Sequence, residues 1–200
     1  WVTSTDQHLV ARLNTRSRQI DGEIRTTSAS FDVTQSGQNV LVPDTAASSV
    51  ASVDPTTVTL SQSAQLTSGA VVAQGADRVI AVNAAEGTVR AAAVPAVASL
   101  PAAAPLLANM PGAVAVVGVD GSVHAASPAN GAIVTVPVDG QGWAEPVTRP
   151  GRLSAGTDVA VHADANGAGA HGGAPHISGR RGPTRLRACV HEDSAVSRWS

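Results

Sequence analysis

The sequence predicts an all-β chain, and three observations carry that prediction. Apolar residues make up 43% of the 200 positions, yet there is one Phe, one Met, three Trp and no Tyr. Burial therefore falls to Val, Ile, Leu and Ala, and the branched members suit a half-buried pleated surface. Nineteen Gly and twelve Pro cut the chain into short segments, which favours many strands over long helices. Finally, the chain matches itself at a period near forty residues.

The self-match is read without gaps. "LVPDTAASSVASVDP" from Leu41 lies under "WVTSTDQHLVARLNT" from Trp1, "IAVNAAEGTVRAAAV" from Ile80 and "HAASPANGAIVTVPV" from His124. Val50 then falls on Val10, Val89 and Ile133, and Asp44 on Asn83 and Ser127. Upstream, "FDVTQSGQNV" (31–40), "AVVAQGADRV" (70–79) and "VAVVGVDGSV" (114–123) also align. Each reads as a strand, a turn and the start of a second strand. Gly37, Gly75 and Asp120-Gly121 fall where a tight hairpin needs a positive φ. Asp44, Asn83 and Ser127 open the next reversal with a side chain able to bond its own backbone. Pro55, Pro95 or Pro137 follows the third strand, and a weaker fourth strand comes after, as in "VTLSQSA".

Each unit thus reads as four antiparallel strands, a small sheet that leaves both faces wet if isolated. Face-to-face stacking of units buries those faces. The period matches that of propeller blades. A β-sandwich has a similar strand density, but it does not require the sequence to match itself. The expectation is an incomplete β-propeller of four-stranded antiparallel blades over residues 1–167. It comprises a part blade at 1–27, blades at about 31–65, 70–105 and 114–148, and the start of another at 159–167, where "VAVHADANG" resembles "VAVVGVDGS". The part blade enters at its second strand, so the arc is expected to be open.

Residues 168–200 break the pattern. They lack period-two alternation and hold five of the thirteen Arg, three of the six His and the only Cys, with Glu192 and Asp193 the only acids. This tail is expected to be disordered, because it has little apolar surface to offset ordering entropy. It is either a frame-slip product or a native basic tail for an acidic partner.

Composition limits function. The net charge of −2 supplies no basic field for nucleic acid, and 2% aromatic residues cannot interleave stacking platforms with charge. All the cations are Arg; without Lys a P-loop is excluded. Cys189 has no partner for an internal disulfide. No apolar run is long enough for a membrane span, and no signal peptide is visible. Because the chain starts at Trp1, it is read as a fragment.

With the repeat in view, the residues resemble the YVTN-type β-propeller repeat. "WVTSTDQHLVARLNTRSRQIDGEI" (1–24) and "VLVPDTAASSVASVDPTTVTL" (40–60) carry the resemblance. Trp1 stands at the aromatic position and Ser4 at the Asn position. In later copies Ala93 and Pro137 replace the strand-closing Asp54. Residues 1–160 also resemble the amino-terminal propeller-like region of large actinobacterial surface proteins, which continue into immunoglobulin-like or fibronectin type III domains. That resemblance implies an extracytoplasmic, membrane-tethered protein. Its motifs are structural and transfer no functional residue.

Candidate chemistry is sparse. His171, His176, Cys189 and His191 have no zinc-finger spacing, and "DANG" (164–167), after His162, lacks the ligands of a calcium loop. No Gly-x-Ser-x-Gly elbow occurs. His8 and His124 read as turn or strand-surface residues. Asp6, Asp44, Asp54, Asp77 and Asp120 read as turn residues, and Asp21 and Glu23 as flanking Gly22 in a loop. Trp1 and Trp143, the aromatic candidates for a central channel, do not occupy equivalent positions. No catalytic, cofactor-binding or metal-ligating residue is assigned, and no cofactor is expected. The expected function is a non-enzymatic extracytoplasmic scaffold or binding module, a fragment of a larger cell-surface protein presenting loops to cell-wall glycan or another protein. The alternative is a fragment of a propeller enzyme, quinoprotein- or lactonase-like, whose site lies in missing blades.

Overall fold

The computed structural model describes residues 1–140 and 142–149. The expected features at 159–167 and 168–200 lie outside the described residues. Four antiparallel sheets follow one another along the chain, each with its strands in sequence order. The first holds β1 (Val2–Ser4), β2 (Leu9–Asn14) and β3 (Gln19–Arg25). The second holds β4 (Thr34–Ser36), β5 (Asn39–Asp44), β6 (Ser49–Asp54) and β7 (Thr59–Gln65). The third holds β8 (Val71–Gly75), β9 (Arg78–Asn83), β10 (Thr88–Ala93) and, after a 3-10 helix at Val94–Ser99, β11 (Pro105–Leu107). The fourth holds β12 (Val114–Val117), β13 (Val123–Ser127) and β14 (Ala132–Val136). A small hairpin of β15 (Val138–Asp139) and β16 (Gly142–Trp143) then precedes its last strand, β17 (Val147–Arg149).

The sheets share one internal register. Thr3 pairs with Val10, Pro43 with Val50, Val82 with Val89, and Ala126 with Ile133. The turn before each third-type strand holds a left-handed residue in turn: His8 (φ 52), Ser48 (φ 49), Gly87 (φ 64) and Gly131 (φ 72). The turn between the first and second strands of the four-stranded sheets varies in the same way, with Gly37 (φ 58), Ala76 (φ 50) and Gly121 (φ 82), so both turns accept a non-Gly residue where hydrogen bonds hold the reversal. His8 N–H donates to the Thr5 carbonyl (3.2 Å), for example.

Packing makes these sheets one body. Val10, Val40, Val42 and Val53 join Ile24 and Phe31 between the first and second sheets. Leu41, Val50, Val79 and Ala81 join the 3-10 helix residues Val94 and Val97 between the second and third. Ile80, Val82, Val89, Val117, Val123 and Val136 fill the space between the third and fourth. Neighbouring residues of one strand, such as Val40 and Leu41, therefore enter different cores. That is why β9 is buried along its whole length: both faces are covered, and the sequence there runs Val-Ile-Ala-Val without polar alternation. The first strands of successive sheets touch, β8 against both β4 and β12, which places them innermost in a radial stack. This is the all-β, four-stranded blade arrangement of a β-propeller.

Several local expectations need correction. Gly75 is not the left-handed residue of its turn; Ala76 is (φ 50). Gly75 is small for another reason: a Cβ there would lie 2.6 Å from the Val117 carbonyl oxygen and 2.7 Å from that of Gly118, where two inner strands approach. Asp21, Gly22 and Glu23 are not in a loop but in β3. The pairing register shifts beside them, between Arg12 and Leu13, and Gly22 leaves room for Val58 of the next sheet. The steps after Pro95 and Pro137 are longer than a direct run into a fourth strand. In the third sheet the 3-10 helix intervenes, and in the fourth the β15–β16 hairpin.

Candidate functional site

The carboxylates named from the sequence divide between backbone turns and ion pairs. The Asp44 carboxylate accepts from the Ala47 N–H (2.8 Å) and the Ser28 hydroxyl (3.0 Å). That of Asp54 accepts from the N–H groups of Thr56 (2.8 Å) and Thr57 (3.4 Å), and the Thr56 bond foremost holds it below the usual carboxylate range. Asp21 is paired with Arg12 at 2.7 Å, which lowers its carboxyl in the same way. Glu23 meets Arg25 and Asp77 meets Arg78, at 3.4 and 3.2 Å. His8 sits in a turn with Nδ1 2.8 Å from the Ser28 carbonyl. Trp143 lies over the Arg78 guanidinium, 4.6 Å from ring centroid to carbon, and its buried indole N–H has no hydrogen-bond partner among the described residues. His162, Asp164–Gly167, His171, His176, Cys189 and His191 lie outside the described residues. Among the described residues no cluster of three or more His, Cys, Asp or Glu could hold a metal.

The structure does bring four polar side chains into one line, which the sequence reading missed. Ser122 Oγ is 2.6 Å from Asp120 Oδ1 and 3.0 Å from His124 Nε2, and His124 Nδ1 is 3.2 Å from Thr135 Oγ1. Gly118 makes the space, since a Cβ there would meet Asp120, Ser122 and His124 at once. A legible signal existed: Ser122 and His124 are two residues apart, hence on one face, and Thr135 is the cross-strand partner of His124. The proton positions follow from the acceptor-only carboxylate. Ser122 donates to Asp120, so His124 Nε2–H donates to Ser122, and in the neutral ring Nδ1 accepts from Thr135. In that order the imidazole cannot take a proton from Ser122, and the hydroxyl is not an activated nucleophile. Burial pushes the Asp120 carboxyl up, but the Ser122 hydroxyl and N–H outweigh it and hold the carboxyl below its ordinary value. The line locks the β12–β13 turn.

The inner strands carry a second polar set. Thr34 donates to the Gln74 amide oxygen (2.9 Å), Gln74 Nε2 donates to the Asn39 carbonyl (3.0 Å), and Asn39 Nδ2 donates to the Ala76 carbonyl (3.4 Å). These bonds staple the second sheet to the third, and Gln74 is buried within them.

Among the described residues a cleft of about 460 Å³ opens between the first two sheets, lined by Trp1, Arg12, Gln35, Gln38, Pro55 and Thr56 among others. Its volume lies within the range of small-molecule sites. Arg12 donates to Asp21 and to the Pro55 carbonyl, which fixes the guanidinium across the wall. Gln35 is held by a bond from Nε2 to the Gly37 carbonyl (2.9 Å). The cleft thus offers an aromatic ring, two amides and hydroxyl groups, with its one cationic side chain paired.

Fold and cleft define a β-propeller with a candidate ligand site between two blades. Neither a protein-family profile nor a curated protein sequence matches the chain. Solved β-propellers do. The chain is similar to the dihydro-heme d1 dehydrogenase NirN, with TM-score 0.61 and 11% identity, over 78% of this chain and 35% of that one. It is similar to Hsv2 of Kluyveromyces lactis, with TM-score 0.58 and 13% identity, over 78% of this chain and 48% of that one. A third is virginiamycin B lyase of Staphylococcus aureus, with TM-score 0.52 and 11% identity, over 82% of this chain and 55% of that one. The chain therefore spans a third to about a half of these proteins. One expectation falls here: the lack of catalytic motifs does not make the chain a non-enzyme. A dehydrogenase and a lyase stand on the same framework, and a framework's structural repeats carry no information about chemistry placed on its loops.

Proposed function

We propose that this chain is the blade-bearing arc of a larger extracytoplasmic, surface-tethered propeller protein, and that it binds a ligand in the cleft between its first two sheets. The cleft carries the reading: it combines an aromatic ring with two amides, that of Gln35 held by its bond to Gly37, at a volume suited to a small ligand, whereas the other polar groups described above are spent on turns and staples. The YVTN-type resemblance at 1–24 and 40–60 and the likeness of 1–160 to actinobacterial surface proteins support the extracytoplasmic placement. The test is a fragment screen on the full chain by proton–nitrogen correlation spectra, using small sugars, amino acids and dipeptides. Hits should shift the Trp1 indole and the Gln35 and Gln38 side-chain amides. Shifts confined elsewhere, or none, overturn the reading. Protease treatment of intact cells checks placement: a protected chain contradicts surface exposure.

A second reading is favoured by the partial coverage of two enzymes of the same fold. It makes the chain part of a propeller enzyme, quinoprotein-, lactonase- or lyase-like, whose reacting groups sit on further blades. Stoichiometric quinone or divalent metal in the complete protein would select it.

A further inference from the structure

We infer that the cleft between the first two sheets is a saccharide subsite, taking a sugar ring against Trp1 with its hydroxyl rim on Gln35, Gln38 and Thr56. This rests on the cleft being the ligand site. The argument is one of exclusion followed by fit. No carboxylate lines the cleft, so it has no anionic groups for a metal or an ammonium. Its one cationic side chain, Arg12, is committed to Asp21 at 2.7 Å and to the Pro55 carbonyl. A phosphate or sulfate needs uncommitted charge-assisted donors, and here it would meet a guanidinium already neutralised. An extended peptide is held by backbone pairing along a sheet edge, but here Thr15, Gln38 and Thr56 lie in turns outside the strands, and Arg12, Leu13, Gln35 and Val40 are already paired within their own sheets.

The remaining chemistry has two halves. Trp1, Leu13, Val40 and Pro55 form apolar walls, and Gln35, Gln38, Thr15 and Thr56 supply neutral donors and acceptors. Each amide offers both a donor pair and an acceptor, which suits hydroxyls that themselves do both. A pyranose has the same division, with a C–H face that meets the negative face of an indole and a hydroxyl edge. Gln35 is pre-oriented by its bond to Gly37, so less freedom is lost on binding.

The experiment titrates the full chain with maltotriose, cellotriose and tri-N-acetylchitotriose, and in parallel with trialanine and inorganic phosphate. The readout is the Trp1 indole signal, assigned by Trp1→Phe. A saturable shift with at least one trisaccharide is expected, weakened at least about tenfold by Gln38→Ala. Gln38 is exposed in a turn, so this variant folds even where Trp1→Ala does not. If trialanine or phosphate saturates the signal and no sugar does, the saccharide assignment is wrong while the cleft remains a binding site. If no probe moves it, both fall. A sugar shift unchanged in Gln38→Ala and in Gln35→Ala also overturns the assignment.

Discussion

Replacing Gly75 with Ala tests the radial stacking directly. The new Cβ would sit 2.6 and 2.7 Å from two carbonyl oxygens of the neighbouring inner strand and 2.9 Å from a carbonyl carbon. All three atoms are backbone, so no flexible side chain can swing aside. Restoring ordinary contact requires the inner strands to part by several tenths of an ångström, in a region where packed neighbours yield little. Overpacking of this kind costs about 1–3 kcal/mol. In a chain of this size each kcal/mol moves Tm by roughly 2–4 °C, so Gly75→Ala should lower Tm by about 2–12 °C, read by circular dichroism. Ala76→Gly next to it should act in the opposite direction. Ala76 holds φ 50, a left-handed conformation costing a non-Gly residue about 1–2 kcal/mol. Part of that gain is lost to the greater freedom of Gly when unfolded, leaving a rise of about 1–3 °C. Gly37→Ala, at φ 58 with nothing within 4 Å, separates the two effects, because it meets only the conformational cost. If Gly75→Ala left Tm unchanged, or if Gly75→Asn stabilised as a left-handed turn position would allow, the close approach of the inner strands would be refuted.

Further outcomes can be measured in the same way. Val50 is fully buried between the second and third sheets, so Val50→Ala should cost about 2 kcal/mol in denaturant unfolding. Val147→Ala, at 54% exposure, should cost close to nothing. Asp120 is held below its ordinary pKa, so its contribution is complete above the unfolded carboxylate value and is lost as pH falls through the folded one. Asp120→Asn should therefore flatten the acid limb of a stability–pH profile and leave the limb above neutrality unchanged in slope. Thr34→Val removes the donor to Gln74 and leaves a buried amide short of a partner, so it should cost about 1–2 kcal/mol.

How much of this was legible beforehand follows from the range of the forces involved. Strand positions and the forty-residue register were readable, because alternation and turn chemistry act between residues close in the chain, and Val10, Val50 and Val89 repeat that local pattern. Local rules misplaced Gly75, since its reason for being small lies some forty residues away at Val117 and Gly118. They also put Asp21 and Glu23 in a loop, because a strand carrying Gly22 looks broken until Val58 is seen to fill the gap. The Asp120–Ser122–His124 line was half visible as a two-residue spacing running from the turn into β13; its fourth member needed the strand pairing.

The sequence alone determined that this chain is all-β and built from small sheets, since those properties come from side-chain branching, alternation and turn residues that act locally. Only the tertiary structure decided which neighbouring apolar residues enter which core, which polar groups are spent on staples, and where a cleft is left open. Those depend on the distance between sheets, a quantity no stretch of a single strand encodes.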